Sequence, residues 1–245
     1  WRLMQNYTKN GNLYPTHGFG PVAQIMNINR GDRLDFLTSQ STADVMMVEE
    51  ATKRAAKDPF YKKYTKDQYR GQMNNTIVKT KNGKSILIQH DVTSPRPYSR
   101  IHLVSGTKGI ARKWPSQKIA LSGHAFPTKD DATRGGTKVI SAHGWLNADN
   151  MKHIKKKYTH PLTKRMAEMA KKLGGHGGMD GIMDARLIEC LRNGLAVDMD
   201  CYDAAAWSCI MPLSEWSVSN RSNSIDIPDF TRGGWKKNKP LGITQ

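Results

Sequence analysis

One dipeptide, Asn82-Gly83, lies between two runs of β-forming residues and constrains the fold of this 245-residue chain more than any other feature. The runs are Thr76–Lys81 and Ser85–Val92, and Asn-Gly tolerates the positive φ angles of a type I′ hairpin turn. Arg100–Val104 alternates polar and apolar residues, which is typical of a half-buried strand. Three successive strands with short connections predict an antiparallel sheet.

Helical segments are predicted on both sides of these strands in the chain. Ser41 or Thr42 caps the first helix, which runs to about Lys57 and is ended by Asp58-Pro59. The other predicted helices are His160–Lys172, Asp180–Asn193 and Asp203–Leu213. Residues 115–150, rich in Gly, Thr and Lys, are predicted to form a long loop or insertion. The predicted fold class is α+β, with an open, mainly antiparallel β-sheet and flanking helices.

The sequence contains no fingerprint of a nucleotide-binding fold. There is no G-x-G-x-x-G between a strand and a helix and no G-x-x-x-x-G-K-[ST], and no alternating βαβ pattern is present. The chain starts at Trp1 without an initiator Met or a signal-peptide apolar core. We therefore expect it to begin inside a longer gene product.

Composition excludes several classes of protein. The hydrophobic fraction of 38% argues against a disordered tail, a collagen or a coiled coil. No apolar run approaches the ~18 residues of a membrane span. The net charge of +17 attracts polyanions, but the lysine clusters lack interleaved aromatics and any nucleic-acid motif, so they predict solvated faces. Three Cys without a C-x-x-C pair indicate neither zinc nor a disulfide framework.

The segment 11–21 is the first candidate for chemistry. It places Tyr14 and His17 three residues apart, with Pro15 between them and two glycines after. Both side chains can donate, accept or transfer protons. The segment could equally be a Pro/Gly turn with a buried Tyr and a surface His, and spacing alone leaves the two interpretations open.

Two further segments are weaker candidates. In residues 93–100, Pro95 and Pro97 stiffen a loop from which Tyr98 emerges before a strand, although an ordinary connecting loop would look the same. In residues 174–180, His176 lies between glycine pairs, and the loop interpretation is favoured because Asp180 is explained as a helix N-cap.

Taken together, several segments resemble glycoside hydrolase family 109. They follow one another along nearly the full chain, and their combined length argues against chance. The segments are Asn12–Gly18 with Pro21, Asn29–Arg33, Thr93–Tyr98, Ser105–Gly109, Gly175–Asp180, Glu215–Val218 and Pro228–Gly233.

The resemblance implies an NAD-dependent α-N-acetylgalactosaminidase of the glucose–fructose oxidoreductase and inositol dehydrogenase superfamily. Members pair an N-terminal Rossmann domain with a C-terminal domain built on an open, mostly antiparallel sheet. Residues 1–245 are then expected to be the C-terminal substrate-binding and oligomerisation domain. The Rossmann domain, the NAD-contacting residues and the main C2 base are expected upstream of Trp1.

The activity implied by the resemblance departs from the usual pair of carboxylates in glycosidases. The family is understood to oxidise the sugar at C3 by hydride transfer to NAD, lose the C2 proton, expel the C1 substituent, add water and return the hydride. The protein positions the sugar and stabilises charge on oxygen. No metal is implied.

Site residues are carried over by matching positions. Tyr14, Pro15, Thr16 and His17 fall in the family's substrate-contacting Tyr-Pro-Thr-His segment, and His17 is expected to act in proton transfer or oxyanion stabilisation. Tyr98 matches a later sugar-contacting Tyr. Arg2 matches a substrate-contacting Arg with only a short context. Phe19 stands where the family more usually has Leu.

Alternative functions remain open at this point. One is an NAD-dependent sugar oxidoreductase of the same superfamily, and another is a non-catalytic basic module that binds acidic glycans. The expected partners are terminal N-acetylgalactosamine glycans, the NAD-binding N-terminal half and a second copy of the chain, with no nucleic acid and no membrane span. A periplasmic or exported location in a bacterium is expected from the resemblance.

Overall fold

The computed structural model contains α-helices and antiparallel sheets. It describes residues 2–66, 69, 71–123, 125–127, 137–139, 143–173 and 175–241, and only the backbone of Arg2, 125–127, 137–139 and Leu173. Two compact units are present, Trp1–Pro97 together with Asp198–Gln245, and Tyr98–Val197.

The elements of the first unit are α1 (Arg2–Thr8), α2 (Thr16–Ile25), β1 (Leu34–Ser41), α3 (Met46–Ala55), β2 (Met73–Thr80), β3 (Ser85–Asp91), α7 (Cys201–Ser208), α8 (Ile210–Ser219) and β9 (Ile225–Asp226). Those of the second unit are β4 (Leu103–Gly106), β5 (Gly109–Arg112), β6 (Lys118–Leu121), β7 (Ala125–Pro127), β8 (Thr137–Val139), α4 (Ala148–Tyr158), α5 (Pro161–Leu173) and α6 (Met179–Asn193). Short 3-10 helices cover Pro59–Tyr64, His176–Gly178 and Gly234–Lys236.

The first unit is built on a four-stranded antiparallel sheet with the order β3-β2-β1-β9. Successive side chains of a strand point to opposite faces, so one face carries buried residues such as Leu37 and Val78. Residues of α2, α7 and α8, among them Phe19, Trp207 and Ile210, complete this core. The opposite face carries exposed apolar side chains and is open among the described residues. The predicted α+β class with an open antiparallel sheet is confirmed.

The hairpin at Asn82-Gly83 joins β2 to β3 as predicted, but its turn type differs. Gly83 has a φ of 84°, whereas Asn82 is not among the residues with positive φ. A type I′ turn needs positive φ at both positions, so that prediction is wrong. The N–H of Gly83 donates to the carbonyl of Thr80, which closes a turn that needs only one left-handed residue.

The first helix begins later than predicted, and neither Ser41 nor Thr42 caps it. Ser41 still pairs with Asn74 in the sheet, because β1 stays paired with β2 up to its last residue. The helix α3 starts at Met46, and Asp44 Oδ1 accepts a hydrogen bond from the N–H of Met47. The strand β1 was not predicted from the sequence.

The second unit corrects two predictions. Strand β4 does not continue the sheet of β2 and β3 but forms a separate antiparallel sheet in the order β4-β5-β6. Residues 115–150 are not a simple loop, because they contain β6, β7, β8 and the start of α4. The short strand β6 pairs with β5 through Ala111↔Ile119, and Ile119 and Leu121 pack against the core residues Leu146 and Ile154.

The later helices are close to their predicted bounds. Helices α5 and α6 are confirmed, and Gly194 ends α6 with a φ of 63°. Asp180 does not cap α6, because its carboxylate contacts His176 instead. The predicted helix 203–213 is two helices, α7 and α8, joined at Cys209. No helix in the described ranges has the length and apolar character to cross a lipid bilayer.

Candidate functional site

The segment 14–17 lies where the chain turns into α2. Thr16 is the first helical residue, and Pro15 before it already has helical angles, with φ −73° and ψ −33°. The carbonyl of Pro15 accepts hydrogen bonds from the N–H groups of Gly18 (3.1 Å) and Phe19 (2.8 Å). Phe19 is buried in the core, so its packing holds the first turn of α2 in place. The segment is therefore a fixed helix start rather than a loose loop.

Tyr14 and His17 form one exposed pair. Their rings stack with centroids 4.6 Å apart at an interplanar angle of 25°. The Tyr14 hydroxyl and His17 Nε2 lie 3.4 Å apart and share a hydrogen bond. Tyr14 is 48% exposed, so the alternative interpretation of a buried Tyr is wrong. A phenol and an imidazole held side by side at the surface can bind a hydroxylated ligand and exchange protons with it.

Tight backbone packing fixes the position of this pair. A Cβ on Gly11 would lie 2.7 Å from Ser214 Oγ, and the N–H of Asn12 donates to that same oxygen at 2.8 Å. A Cβ on Gly20 would lie 3.0 Å from the ring of Trp207. The chain just before Tyr14 is thus joined to α8, and α2 packs closely on α7.

The segment 29–33, which also carries the resemblance, has a structural role. The guanidinium of Arg30 donates to Asp203 Oδ1 (2.8 Å) and Oδ2 (2.7 Å) and to Asp200 Oδ2 (3.0 Å). Arg30 and Asp203 are both buried. The hydrogen bond to Asp203 raises the pKa of Arg30 above its ordinary value, against the opposing effect of burial. This cluster joins the turn before β1 to the start of α7.

Tyr98 lies in the second unit and is 65% exposed. The ring of Trp114 meets it edge to face at 5.9 Å, and the guanidinium of Arg100 lies 5.6 Å from its centroid. Trp114 reaches Tyr98 because the backbone N–H of Trp114 donates to the carbonyl of Ile101. Arg100 belongs to the predicted segment 93–100, but sequence reasoning missed Trp114, since sixteen residues separate the two aromatic rings along the chain.

The loop that precedes Tyr98 is held at its start by Asp91. Its Oδ1 accepts hydrogen bonds from the N–H groups of Thr93 and Ser94, both at 3.0 Å, and Arg96 lies 3.6 Å from its Oδ2. Burial acts to raise the pKa of Asp91, but the hydrogen bonds from Ser94 and Thr93 and the charge of Arg96 lower it below its ordinary value. The carboxylate therefore remains charged and keeps these contacts at neutral pH.

The two other candidate residues are Arg2 and His176. Arg2 begins α1, and its side chain lies outside the described residues. His176 has a φ of 44° between Gly175 and Gly177, and its Nδ1 lies 2.8 Å from Asp180 Oδ2. This loop closes on the start of α6 and is fully explained by that contact.

The described residues contain neither a metal-binding cluster nor the sheet of a dinucleotide fold. They hold no group of three or more His, Cys, Asp or Glu that could bind a metal ion. Every described pair of strands is antiparallel, whereas a dinucleotide fold binds its ligand at the ends of parallel strands. The described strands therefore do not form a dinucleotide-binding sheet.

Solved structures define the class of the fold. Levoglucosan dehydrogenase in complex with NADH superposes with a TM-score of 0.51 at 13% identity, over 93% of this chain and 53% of that one. Its apo form superposes with a TM-score of 0.50 at 13% identity, over 90% and 52%. The chain thus has the fold of about half of the levoglucosan dehydrogenase chain.

Sequence comparison then identifies the family. Residues 1–237 match the C-terminal domain of glycosyl hydrolase 109, and the chain belongs to this family, as the resemblance implied. A family 109 protein of Shewanella sp. strain ANA-3 is 49% identical over 99% of this chain and 49% of its own length. The alpha-N-acetylgalactosaminidase of Shewanella oneidensis is 46% identical over 99% and 49%. The chain spans about half the length of the curated relatives it matches.

Proposed function

We propose that this chain is the substrate-binding half of an NAD-dependent glycosidase that releases terminal α-N-acetylgalactosamine. The observation that carries the proposal is the exposed, stacked pair of Tyr14 and His17 at a fixed helix start, in a chain of family 109. A relative named alpha-N-acetylgalactosaminidase supports the choice of sugar. A periplasmic or exported location is part of the same proposal and can be checked by cell fractionation.

Each residue of the candidate site has a proposed role. Tyr14 and Thr16 donate hydrogen bonds to sugar hydroxyls, and Pro15 shapes the backbone beneath them. His17 exchanges a proton with a sugar oxygen or water through its imidazole, a group suited to neutral pH. Tyr98 is proposed as a further sugar contact, and Arg2 as a contact that rests on sequence alone.

NAD, when bound, would accept a hydride from the sugar and return it, which is chemistry that no side chain supplies. We propose that it is held by a part of the protein outside this chain, because the described strands are antiparallel and do not form a dinucleotide-binding sheet. The residues of this chain then bind and orient the sugar and move protons.

Turnover of an aryl α-N-acetylgalactosaminide by the complete protein tests the proposal. We expect release of the aryl alcohol with added NAD and no net formation of NADH. Net NADH formation without release of the alcohol would instead identify a sugar dehydrogenase, the runner-up among the enzymatic hypotheses.

The cofactor proposal predicts that residues 1–245 alone do not bind NAD measurably. Calorimetric titration of the folded chain, with circular dichroism to verify folding, measures this. Micromolar binding by this polypeptide would contradict the proposal.

Replacement Tyr98→Phe in the complete protein is expected to weaken sugar binding by ~0.5–1.5 kcal/mol, or about 2- to 10-fold, because one neutral hydrogen bond is lost. The effect should appear in KM more than in kcat. Tyr158→Phe is the matched control, since Tyr158 is exposed on α4 to a similar degree, 61% against 65%. An unchanged kcat/KM for Tyr98→Phe would show that this phenol does not contact the sugar.

The open face of the first unit's sheet is proposed to bind a second copy of the chain. Ile77 pairs directly with Leu87 across β2 and β3, and Phe36 lies on the same face of β1. Their exposures are 50%, 59% and 37%, in that order. Ile77 faces Thr38 and Phe36 faces Lys79 across β1 and β2. Exposed apolar side chains with polar neighbours of this kind are typical of a protein–protein contact.

The double replacement Ile77→Lys with Leu87→Lys is expected to convert the oligomer into monomers, because four buried lysines per dimer would face one another. Sedimentation velocity measures the assembly state. Leu191→Lys, at an exposed position of α6, should leave it unchanged. A double variant that sediments like the parent protein would exclude this face as the contact.

A further inference from the structure

Aromatic and arginine side chains are paired at two places in the second unit, next to the β4-β5-β6 sheet. Tyr98 is flanked by Trp114 and Arg100, as described above. Two residues before Trp114, the guanidinium of Arg112 lies over the ring of Trp145 at 5.2 Å from its centroid. Trp114 and Trp145 are 38% and 41% exposed. We name these five residues the aromatic–arginine surface.

The charge of this sheet has a single sign. Residues 98–123 contain no Asp or Glu at all. Their five basic residues are Arg100, Lys108, Arg112, Lys113 and Lys118. Arg112 and Lys118 are direct partners in the ladder between β5 and β6, so two cations project from one face of the sheet. A surface of this kind attracts an anionic ligand.

The two arginines keep donors available for a ligand. A guanidinium that stacks on a ring uses its flat face and leaves its N–H groups in the plane. No carboxylate of the described residues forms an ion pair with Arg100 or Arg112. Arg112 Nε is buried and is not one of these available donors. Carboxylate and sulfate oxygens are the acceptors that such a planar fork binds in bidentate fashion.

Exposed aromatic rings supply the second part of a saccharide site. Tyr98 and Trp114 stand edge to face, so their ring faces point in different directions. Such rings offer a large apolar surface with little conformational entropy to lose, and the C–H face of a pyranose packs on them. Apolar ring faces beside unpaired guanidinium groups suit a ligand that has both sugar rings and negative charges.

We propose that the aromatic–arginine surface binds an acidic glycan, through ring stacking on Trp114 and through carboxylate or sulfate groups on Arg100 and Arg112. The choice of a glycan over another polyanion rests on the proposed function. The requirement that the ligand be negatively charged does not rest on the proposed function, because it follows from the basic side chains of the sheet.

The test is direct binding by the complete protein, which requires no turnover and is therefore separate from the test of the proposed function. Calorimetry compares a chondroitin sulfate hexasaccharide with the same hexasaccharide after desulfation and carboxyl reduction. We expect the acidic probe to bind at least ~10-fold more tightly, as expected for charge-assisted hydrogen bonds to the arginines. Equal affinity for both probes would overturn the proposal.

Variants separate the two parts of the surface. Arg100→Ala and Arg112→Ala should each lower the affinity for the acidic probe by ~10-fold and change the affinity for the neutral probe by no more than about twofold. Trp114→Leu, which keeps an apolar side chain, should lower the affinity for both probes by ~2- to 10-fold. Arg192→Ala, at an exposed position on α6, is the control of equal charge change and should match the parent protein.

Two results would contradict the proposal. One is a loss of affinity in Arg192→Ala as large as in Arg112→Ala, which would indicate attraction by overall charge alone. The other is tighter binding of a single-stranded oligouridylate than of the acidic hexasaccharide, lost in the same variants, which would make this a nucleic-acid surface. Circular dichroism of every variant verifies that the fold is retained.

Discussion

Replacement His17→Ala in the complete protein with NAD present is expected to lower kcat by at least ~100-fold, because a positioned acid or base contributes ~100- to 10,000-fold. His17 is exposed, and its ring stacks on Tyr14 at the surface. Hydride exchange at C3 should fall less than release of the aryl alcohol, if the imidazole serves the later proton steps. Turnover of an aryl α-N-acetylgalactosaminide measures kcat.

His153→Ala is the matched control for this prediction. His153 is an exposed residue of α4 in the second unit, outside the candidate site, so its removal should leave kcat close to that of the parent protein. A folded His17→Ala variant with near-normal turnover would show that His17 only stacks on Tyr14. Circular dichroism distinguishes that result from a loss of structure.

Replacement Asp203→Ala is expected to destabilise the first unit by about 3–5 kcal/mol, because it leaves the buried Arg30 without its main partner. The side chains of Arg30 and Asp203 are 6% and 2% exposed, and their closest atoms are 2.7 Å apart. Asp203 also forms a capping box with Asp200 at the start of α7. Denaturant unfolding followed by tryptophan fluorescence reports on this core, since Trp207 belongs to it.

Two further variants decide whether the buried charge causes the loss. Asp226→Ala removes an exposed carboxylate of β9 and should change stability by less than ~0.5 kcal/mol. The double replacement Arg30→Met with Asp203→Leu removes both charges and should recover at least half of the loss, since replacing both partners is often close to neutral. A double variant as unstable as Asp203→Ala would point to the lost helix cap instead.

Local patterns predicted much of the fold, and their failures have local reasons. The Asn82-Gly83 hairpin and helices α5 and α6 follow from turn chemistry and from apolar spacing, which act between near neighbours. The turn type depended on whether both Asn82 and Gly83, or only Gly83, took a positive φ. The hydrogen bond from the Gly83 N–H to the Thr80 carbonyl favours the turn in which only Gly83 does. The strand β1 was missed because its residues Leu34–Ser41 are largely polar and become a strand only through pairing with β2.

The candidate site was predictable as residue types but not as geometry. Tyr14 and His17 were singled out by spacing and by the family resemblance, yet their stacking follows from Pro15 taking helical angles one residue before α2. The partners of Tyr98 could not be found in the same way. Trp114 reaches Tyr98 only because the backbone around Ile101 bonds to residues after β5, a long-range contact that sequence spacing does not encode.

The order of the two units along the chain has a consequence for synthesis on the ribosome. Residues of the first unit's core come from both ends of the chain, Phe19 and Leu37 before the second unit and Trp207 and Ile210 after it. The second unit is one continuous segment, Tyr98–Val197, and all its residues emerge before Trp207 does. During translation the core face of the first unit's sheet therefore stays partly uncovered until Trp207 and Ile210 have been synthesised. Chaperone binding or aggregation would act at this nascent stage.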